Sequence, residues 1–243
     1  MSAETSGSKG GKGGKGGKTV TLTIDGRAVS VPAGTTIWEA ARELGIDIPV
    51  LCHSPRMAPV GVCRLCVVDI GERVLAASCV RPCEQGMTVR TGTDEVQGHR
   101  RTLTELLLSD YPEQSRREAT TGDDALLALA HAQGIGAIPF PDGSGGNAGG
   151  ARGRDDSSPV IAVDHQACIL CDRCIRACDE LQHNDVIGRT GKGYGARIAF
   201  DLNNPMGQST CVACGECMAS CPTGALTNKA VAGIRVVRAV AGP

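Results

Sequence analysis

The chain has 243 residues, with 25 lysines and arginines against 26 aspartates and glutamates, so its net charge is −1. A balance this even argues against nucleic acid or an anionic membrane as an obligatory partner. No apolar run approaches the ~20 residues that a transmembrane helix requires, and the N-terminus lacks the apolar core of a secretory signal. With 13 cysteines and no export signal, the sequence predicts metal ligation in a reducing cytoplasm rather than disulfide bonds.

The first 18 residues are rich in glycine and lysine and contain almost no apolar side chains. Such a segment cannot bury enough surface to offset the entropy of its ordering, so 1–18 is predicted to be a disordered tail. The first folded domain is predicted to start with Thr19–Ile24, which alternates as a half-buried strand does. Asp25-Gly26 is a hairpin turn signal, and Thr36 begins a capping box for a helix. This order of elements is typical of a β-grasp domain of the plant-type ferredoxin kind.

Four cysteines follow at the spacing C-x10-C-x2-C-x12-C, namely Cys52, Cys63, Cys66 and Cys79. A [2Fe-2S] cluster needs two thiolates for each iron, and this set supplies four. We therefore predict that these cysteines bind one [2Fe-2S] cluster. Cys83 is then a spare thiol, because its spacing from Cys66 is poorer than that of Cys79.

The C-terminal part contains an internal repeat of cysteines. The spacing C-x2-C-x2-C-x3-C occurs at Cys168–Cys178 and again, 43 residues later, at Cys211–Cys221. In two-cluster ferredoxins the fourth cysteine of such a run binds the other cluster. We therefore predict two [4Fe-4S] clusters, the first bound by Cys168, Cys171, Cys174 and Cys221 and the second by Cys178, Cys211, Cys214 and Cys217. Zinc sites are the alternative, but zinc usually takes two well-separated C-x2-C pairs rather than four closely packed thiols.

These motifs resemble an iron–sulfur region shared by the iron–sulfur subunit of respiratory complex I, the diaphorase iron–sulfur subunit of NAD-reducing hydrogenases, [FeFe]-hydrogenases, and molybdenum or tungsten formate dehydrogenases. The N-terminal part of the resemblance covers Thr19–Leu108 and is carried by Cys63-Arg-Leu-Cys66, Leu75–Cys79, Gly86–Thr91 and Arg100–Asp110. The tract Asn184–Leu226 resembles the formate dehydrogenase branch most. The resemblance implies a β-grasp [2Fe-2S] domain, a helical segment beginning near Arg100, and a bacterial-type 2[4Fe-4S] ferredoxin domain.

One stretch departs from the family pattern. After the helix, the family usually carries H-x3-C-x2-C-x5-C, which binds a further [4Fe-4S] cluster, but the matching positions here are Tyr111, Ser115, Glu118 and Asp124. Oxygen donors are poorly matched to a soft sulfide cluster, so we expect this cluster to be absent and the helix around Leu126–Leu129 to remain as packing. A hard cation held weakly at Glu118 and Asp124 is an alternative to the solvated face that we expect there.

The predicted fold class is α+β. Its segments are a disordered tail (1–18), a β-grasp [2Fe-2S] ferredoxin domain (19–94), a small helical remnant of the domain that binds a cluster through one histidine and three cysteines in the family (95–140), a glycine-rich linker (141–158), a 2[4Fe-4S] ferredoxin-like domain (159–232) and a C-terminal tail (233–243). Within the last domain, Ile161–Val163 and Ile198–Phe200 are candidate strands.

Three clusters in a chain without an acid–base constellation or a dinucleotide motif predict electron transfer rather than bond chemistry, and no catalytic residue is predicted. We expect an electron-relay subunit of a cytoplasmic NAD(P)-linked oxidoreductase complex, and therefore a hetero-oligomer. By the resemblance, its partners are a flavin- and NAD(P)-binding diaphorase subunit and a metal-containing catalytic subunit. We expect the latter to be a formate dehydrogenase, with a [NiFe] hydrogenase as the alternative. A redox- or iron-sensing protein would need an effector module, which the sequence lacks.

Overall fold

A computed structural model describes residues 18–112, 114–136 and 152–231 of the chain. The two predicted tails, except Lys18, and the predicted linker up to residue 151 lie outside these ranges. The helices are α1 (Ile37–Glu43), α2 (Asp94–Ser109), α3 (Arg116–Thr120), α4 (Ala125–Ala132), α5 (Arg173–Arg176), which continues as a π-helical turn (Ala177–Leu181), and α6 (Glu216–Ser220). The strands are β1 (Thr19–Ile24), β2 (Arg27–Pro32), β3 (Val67–Val68), β4 (Ala76–Ala77), β5 (Thr88–Val89), β6 (Arg154–Asp155), β7 (Ile161–Asp164), β8 (Ile187–Thr190), β9 (Arg197–Phe200) and β10 (Leu226–Asn228).

The N-terminal domain is a small mixed sheet with α1 packed against it. Strand β1 pairs antiparallel with β2 and parallel with β5, so the strand order is β2-β1-β5. Val20, Leu22 and Ile24 of β1 are buried, as the alternating sequence predicts. The capping box is also formed, because the Glu39 amide donates to the Thr36 hydroxyl at 3.2 Å and the Thr36 amide donates to the Glu39 carboxylate at 2.9 Å. The predicted α+β class with a β-grasp domain is confirmed.

Helix α2 begins at Asp94, earlier than the predicted start near Arg100. The hydroxyl of Thr93 accepts from the Val96 amide at 3.3 Å and caps the helix. Asp94 and Glu95 then place negative charge in the first turn, where the helix dipole favours it. The additional turns extend the helix back toward the [2Fe-2S] domain.

Arg100 of α2 connects this helix to the loop that carries Cys66. The side chain is buried, and it donates from Nε to the Leu65 carbonyl at 3.1 Å and from a terminal nitrogen to the Val67 carbonyl at 2.8 Å. These carbonyls flank Cys66 on both sides. A buried guanidinium is tolerated here because main-chain carbonyls solvate it.

The C-terminal domain contains the sheet β10-β7-β6, which is antiparallel throughout, and the hairpin β8-β9. Strands β7 and β9 contain the two stretches that the sequence predicts as strands. Arg154 and Asp155, at the end of the predicted linker, form β6 and pair with Asp164 and Val163. The folded C-terminal domain therefore starts before residue 159.

A small apolar core joins the two domains through the helices between them. Its buried members come from the cysteine loop (Leu51 and Leu65), from α2 (Leu108) and from α4 (Leu126 and Ala130). Ile169, beside Cys168, packs against the same cluster. Within the described ranges, no helix is long and apolar enough to cross a membrane.

We predict that Arg100→Met lowers the free energy of unfolding by about 2–3 kcal/mol, because two buried carbonyls lose a charged donor. The measurement is urea-induced unfolding of the anaerobic protein, followed by circular dichroism. The matched control is Arg101→Met, since the next arginine is exposed and bonds Glu105 and the Gln133 carbonyl at the surface. We expect the control to change stability by less than about 1 kcal/mol. Equal effects of both substitutions would contradict the role of Arg100.

Candidate metal centres

The four cysteines predicted for the [2Fe-2S] site converge in the N-terminal domain. The Cys66 thiol lies 3.3 Å from the Cys79 sulfur, and the Cys63 amide donates to the Cys52 sulfur at 3.5 Å. Hydrogen bonds from Cys63 and Cys79 lower the pKa of Cys52, and the bond from Cys79 lowers the pKa of Cys66 to about 7. The same hydrogen bonds raise the pKa of Cys63 and of Cys79, which act as the donors. Four thiols that share protons in this way can together ionise when a metal supplies the compensating charge.

Cys83 has different surroundings from these four cysteines. It is buried in the core of the N-terminal domain, and its amide donates to the Thr35 carbonyl at 2.8 Å. Burial raises the pKa of its thiol to about 11, and the nearby carboxylates of Glu39 and Glu43 add to the shift. The negative charges of Glu39 and Glu43 favour a neutral thiol at Cys83.

The two C-terminal cysteine runs have the same backbone conformation. Leu170 and Asp172 in the first run have φ values of 53° and 61°, and the equivalent residues of the second, Ala213 and Gly215, have values of 55° and 81°. Left-handed residues are costly unless surrounding structure requires them. They turn the chain so that amides point at sulfur, as at the Ala213 amide, which donates to Cys211 at 3.4 Å.

The eight C-terminal cysteines line two separate cavities. One cavity is lined by Cys168, Cys171, Cys174 and Cys221, and the other by Cys178, Cys211, Cys214 and Cys217. The structure thus divides the cysteines into the same two sets as the sequence prediction. Apart from the cysteines, the walls are mostly small and aliphatic, with Ile198 and Leu226 at the first and Ile161 and Val186 at the second.

The chemistry of these cavities fits the cationic cores of iron–sulfur clusters. Burial raises the pKa of Cys171 and Cys217 to about 12, and it raises the pKa of Cys174 well above its ordinary value. Buried thiols of this kind ionise when a metal supplies the compensating charge, and then remain as bound thiolates. Cys214 differs because it is exposed, so the second cavity is the one nearer to solvent.

Arg176 joins the first cysteine run to the [2Fe-2S] loop, a contact that no sequence motif indicates. The residue lies between Cys174 and Cys178 and is buried. Its guanidinium donates to the main-chain carbonyl of Cys52 and, at 2.6 Å, to that of Ala58. One side chain therefore contacts the backbone of a predicted [2Fe-2S] ligand from within the [4Fe-4S] motif.

Further polar contacts support the same interface. The Glu180 carboxylate accepts from the Ala58 amide at 2.8 Å, and Arg56 forms an ion pair with Glu216 at 2.6 Å. Arg173 donates to the Leu51 carbonyl at 3.4 Å. The loop that begins at Cys52 is thus held by residues from α5, from the π-helical turn and from α6.

The positions expected to lack the further cluster form a hydrogen-bonded group. The Tyr111 and Ser115 hydroxyls both donate to the Asp124 carboxylate, the second at 2.5 Å. Ser115 and Asp124 are almost fully buried, with 1 % and 0 % of their surface exposed. The expectation of a solvated face is therefore wrong for Asp124, because its partners on other turns enclose it. Glu118 contributes its main-chain amide, which donates to Ser115 Oγ at 3.1 Å.

Two protein-family models match the chain. Residues 17–94 match a 2Fe-2S iron–sulfur cluster binding domain, and residues 158–227 match the ferredoxin-like domain of NADH-quinone oxidoreductase subunit 3. The chain accordingly carries a [2Fe-2S] cluster and [4Fe-4S] clusters. The predicted cofactor types are confirmed.

Relatives extend the match to most of the chain. It is 39% identical over 232 residues to NADP-reducing hydrogenase subunit HndD of Solidesulfovibrio fructosivorans and 32% identical over 218 residues to the mitochondrial NADH-ubiquinone oxidoreductase 78 kDa subunit of Candida albicans. These alignments cover 92% and 86% of this chain, but only 38% and 28% of the lengths of those relatives.

A solved structure is similar over nearly its whole length. It is a chain in the crystal structure of NAD+-reducing [NiFe]-hydrogenase in the H2-reduced state, with a TM-score of 0.76 and 32% sequence identity. The similarity covers 87% of this chain and 88% of that one. The chain therefore belongs to the family of iron–sulfur electron-transfer subunits that these hydrogenase and NADH-ubiquinone oxidoreductase proteins share.

Proposed function

We propose that the chain is an electron relay within a cytoplasmic NAD(P)-linked oxidoreductase complex. In this proposal Cys52, Cys63, Cys66 and Cys79 bind the [2Fe-2S] cluster, Cys168, Cys171, Cys174 and Cys221 bind a first [4Fe-4S] cluster, and Cys178, Cys211, Cys214 and Cys217 bind a second. The bound clusters supply one-electron carriers. The role of the polypeptide is to hold them in fixed positions and to shield most of their ligands from water.

The observation that carries the proposal is the contact of Arg176 with the Cys52 carbonyl. Arg176 follows Cys174 by two residues and precedes Cys178 by two, so it adjoins ligands proposed for both [4Fe-4S] clusters. A guanidinium that bonds main-chain carbonyls fixes the relative position of the two cysteine-bearing domains. The buried contact therefore supports a fixed spacing between the cysteine sets of the two domains, which electron transfer between them requires.

The proposed partners are a flavin- and NAD(P)-binding subunit and a metal-containing catalytic subunit. The tract Asn184–Leu226 favours a molybdenum or tungsten formate dehydrogenase as the catalytic partner. The hydrogenases among the relatives support the alternative, in which the same relay serves a hydrogenase. The two differ in the metal that accompanies the chain.

The test is anaerobic purification of the chain from its native host, followed by metal analysis. We expect co-purified flavin and either molybdenum or tungsten, and about ten irons in this chain once it is separated anaerobically from its partners. Nickel in their place would identify the hydrogenase partner and exclude the formate dehydrogenase. About fourteen irons would mean that a further cluster is bound, and iron-free protein containing zinc would refute the relay.

A second prediction distinguishes Cys79, a proposed ligand of the [2Fe-2S] cluster, from Cys83, a proposed spare thiol. Cys79→Ser should abolish or strongly alter the [2Fe-2S] signal in electron paramagnetic resonance, because it removes one of four thiolates. Cys83→Ser is the matched control, since it changes a buried cysteine of the same domain that lies among carboxylates. We expect the control to retain the signal and the iron content. A lost signal in Cys83→Ser with an intact one in Cys79→Ser would reverse the assignment.

A further inference from the structure

The helical segment between the cluster domains contacts the main chain around Cys221. Arg117 of α3 donates to the carbonyl of Cys221 and, at 3.4 Å, to that of Met218. The amide of Ala125, the first residue of α4, donates to the Pro222 carbonyl at 2.9 Å. These bonds come from two helices and meet on one short stretch of chain.

Tyr111 adds a bond to the same stretch. Its hydroxyl accepts from the Gly224 amide at 3.1 Å and donates to the Asp124 carboxylate. Burial and the adjacent carboxylate raise the pKa of Tyr111, so the phenol remains protonated and can donate. Asp124 is in turn fixed as the N-cap of α4, where it accepts from the amides of Leu126 and Leu127 at 3.1 and 3.2 Å.

The two segments approach each other as closely as glycine permits. A Cβ atom at Gly224 would lie 2.7 Å from Ser115 Cβ and 2.9 Å from Ser115 Oγ. Such distances are far below ordinary van der Waals contact. Ser115 also donates to Asp124, so the close approach and the hydrogen bonds belong to the same packed unit.

Cys221 has a particular need for outside support. Its three companions in the first cavity come from one loop, at Cys168–Cys174, whereas Cys221 comes from the other repeat. The loop geometry that arranges the three therefore does not fix the fourth. Contacts from outside the ferredoxin repeats can do so.

We propose that Tyr111, Arg117 and Asp124 form a clamp that positions Cys221 as a ligand of the first [4Fe-4S] cluster. The clamp occupies the segment in which the family pattern has the ligands of a further cluster. The inference rests on the proposed assignment of Cys221 to the first cluster. It makes these three side chains positioning residues, none of which touches iron.

The first test compares Tyr111→Phe with Tyr194→Phe, the same substitution at an exposed tyrosine. An iron chelator is added to each anaerobic holo-protein, and iron release is followed optically. We expect about four irons to leave Tyr111→Phe about tenfold faster than wild type, the factor expected when a buried hydrogen bond is lost. Tyr194→Phe should match wild type. Equal rates in the two variants would overturn the clamp, and so would equally accelerated release of all the iron.

The second test measures the midpoint potential of the first [4Fe-4S] cluster, which does not depend on how fast the iron is released. Arg117→Met removes a positive charge beside Cys221. Because that charge stabilises the reduced cluster, which is the more negative state, the midpoint potential of the first [4Fe-4S] cluster should fall in the variant. Arg116→Met is the control, because it removes the same charge from an arginine that pairs with Asp156. Arg117 also has a carboxylate partner, Asp123, but in addition it donates to the Cys221 carbonyl. Redox titration followed by electron paramagnetic resonance measures each potential. An unchanged potential, or an equal shift of the [2Fe-2S] cluster, would overturn the proposal.

A Cys221→Ser variant separates failure of the clamp from failure of the assignment. The [4Fe-4S] signal that this variant alters identifies the first cluster. If both [4Fe-4S] signals remain intact, the ligand assignment is wrong and the clamp falls with it. If one signal is altered while Tyr111→Phe and Arg117→Met behave as their controls, the clamp alone is overturned.

Discussion

Each cavity of the C-terminal domain takes its fourth cysteine from the other repeat, and this exchange is the constraint on which the domain depends. Cys178 belongs to the first run, but it lies in the π-helical turn and lines the second cavity. Cys221 belongs to the second run, but it directly follows α6 and lines the first cavity. Neither run can complete its own site. Because the sites are shared, the two halves must fold together, and metal binding contributes directly to the stability of both.

The composition of the chain makes the stability of the C-terminal domain depend more strongly on metal binding. Aromatic residues are 2% of the sequence, so aromatic side chains contribute little to the cores. The buried cluster of the C-terminal domain consists largely of cysteines and aliphatic residues around the cavities. Thiols in such surroundings stay neutral until a cation compensates them. The clusters therefore act as part of the packing as well as carriers of electrons.

Main-chain carbonyls are the recurrent means by which this protein holds its cysteine loops. Arg100 binds the carbonyls on either side of Cys66, Arg176 binds that of Cys52, and Arg117 binds that of Cys221. Arginine suits this role because its planar group presents several donors in a fixed arrangement. The sulfur atoms remain free to bind iron, and the backbone behind them is immobilised.

Local sequence signals predicted the elements whose causes are local. The alternation of Thr19–Ile24, the capping box at Thr36 and the cysteine spacing each depend on neighbours a few residues apart. The early start of α2 could also have been found from Thr93 followed by two acidic residues, although Gly98 weakens the helical pattern. Strand β6 has two residues and so has no periodicity to detect.

Contacts between distant parts of the chain could not be predicted in this way. Arg176 and Cys52 are 124 residues apart, and Tyr111 and Gly224 are 113 apart. Nothing in the local sequence distinguishes a buried Asp124 from an exposed one, because the hydroxyls that bind it come from Tyr111, after α2, and from Ser115, which caps α3. Burial of a polar residue is decided by its partners, and those are set by the tertiary fold.

The close approach of Gly224 to Ser115 has a consequence for how such proteins can vary. A larger residue at position 224 would require a smaller one at position 115 or a displacement of the Cys221 segment. A side-chain atom added at position 224 therefore requires the loss of one at position 115. Across relatives that lack the additional cluster, these two positions are therefore expected to change in concert, and their covariation would record the geometry in sequence alone.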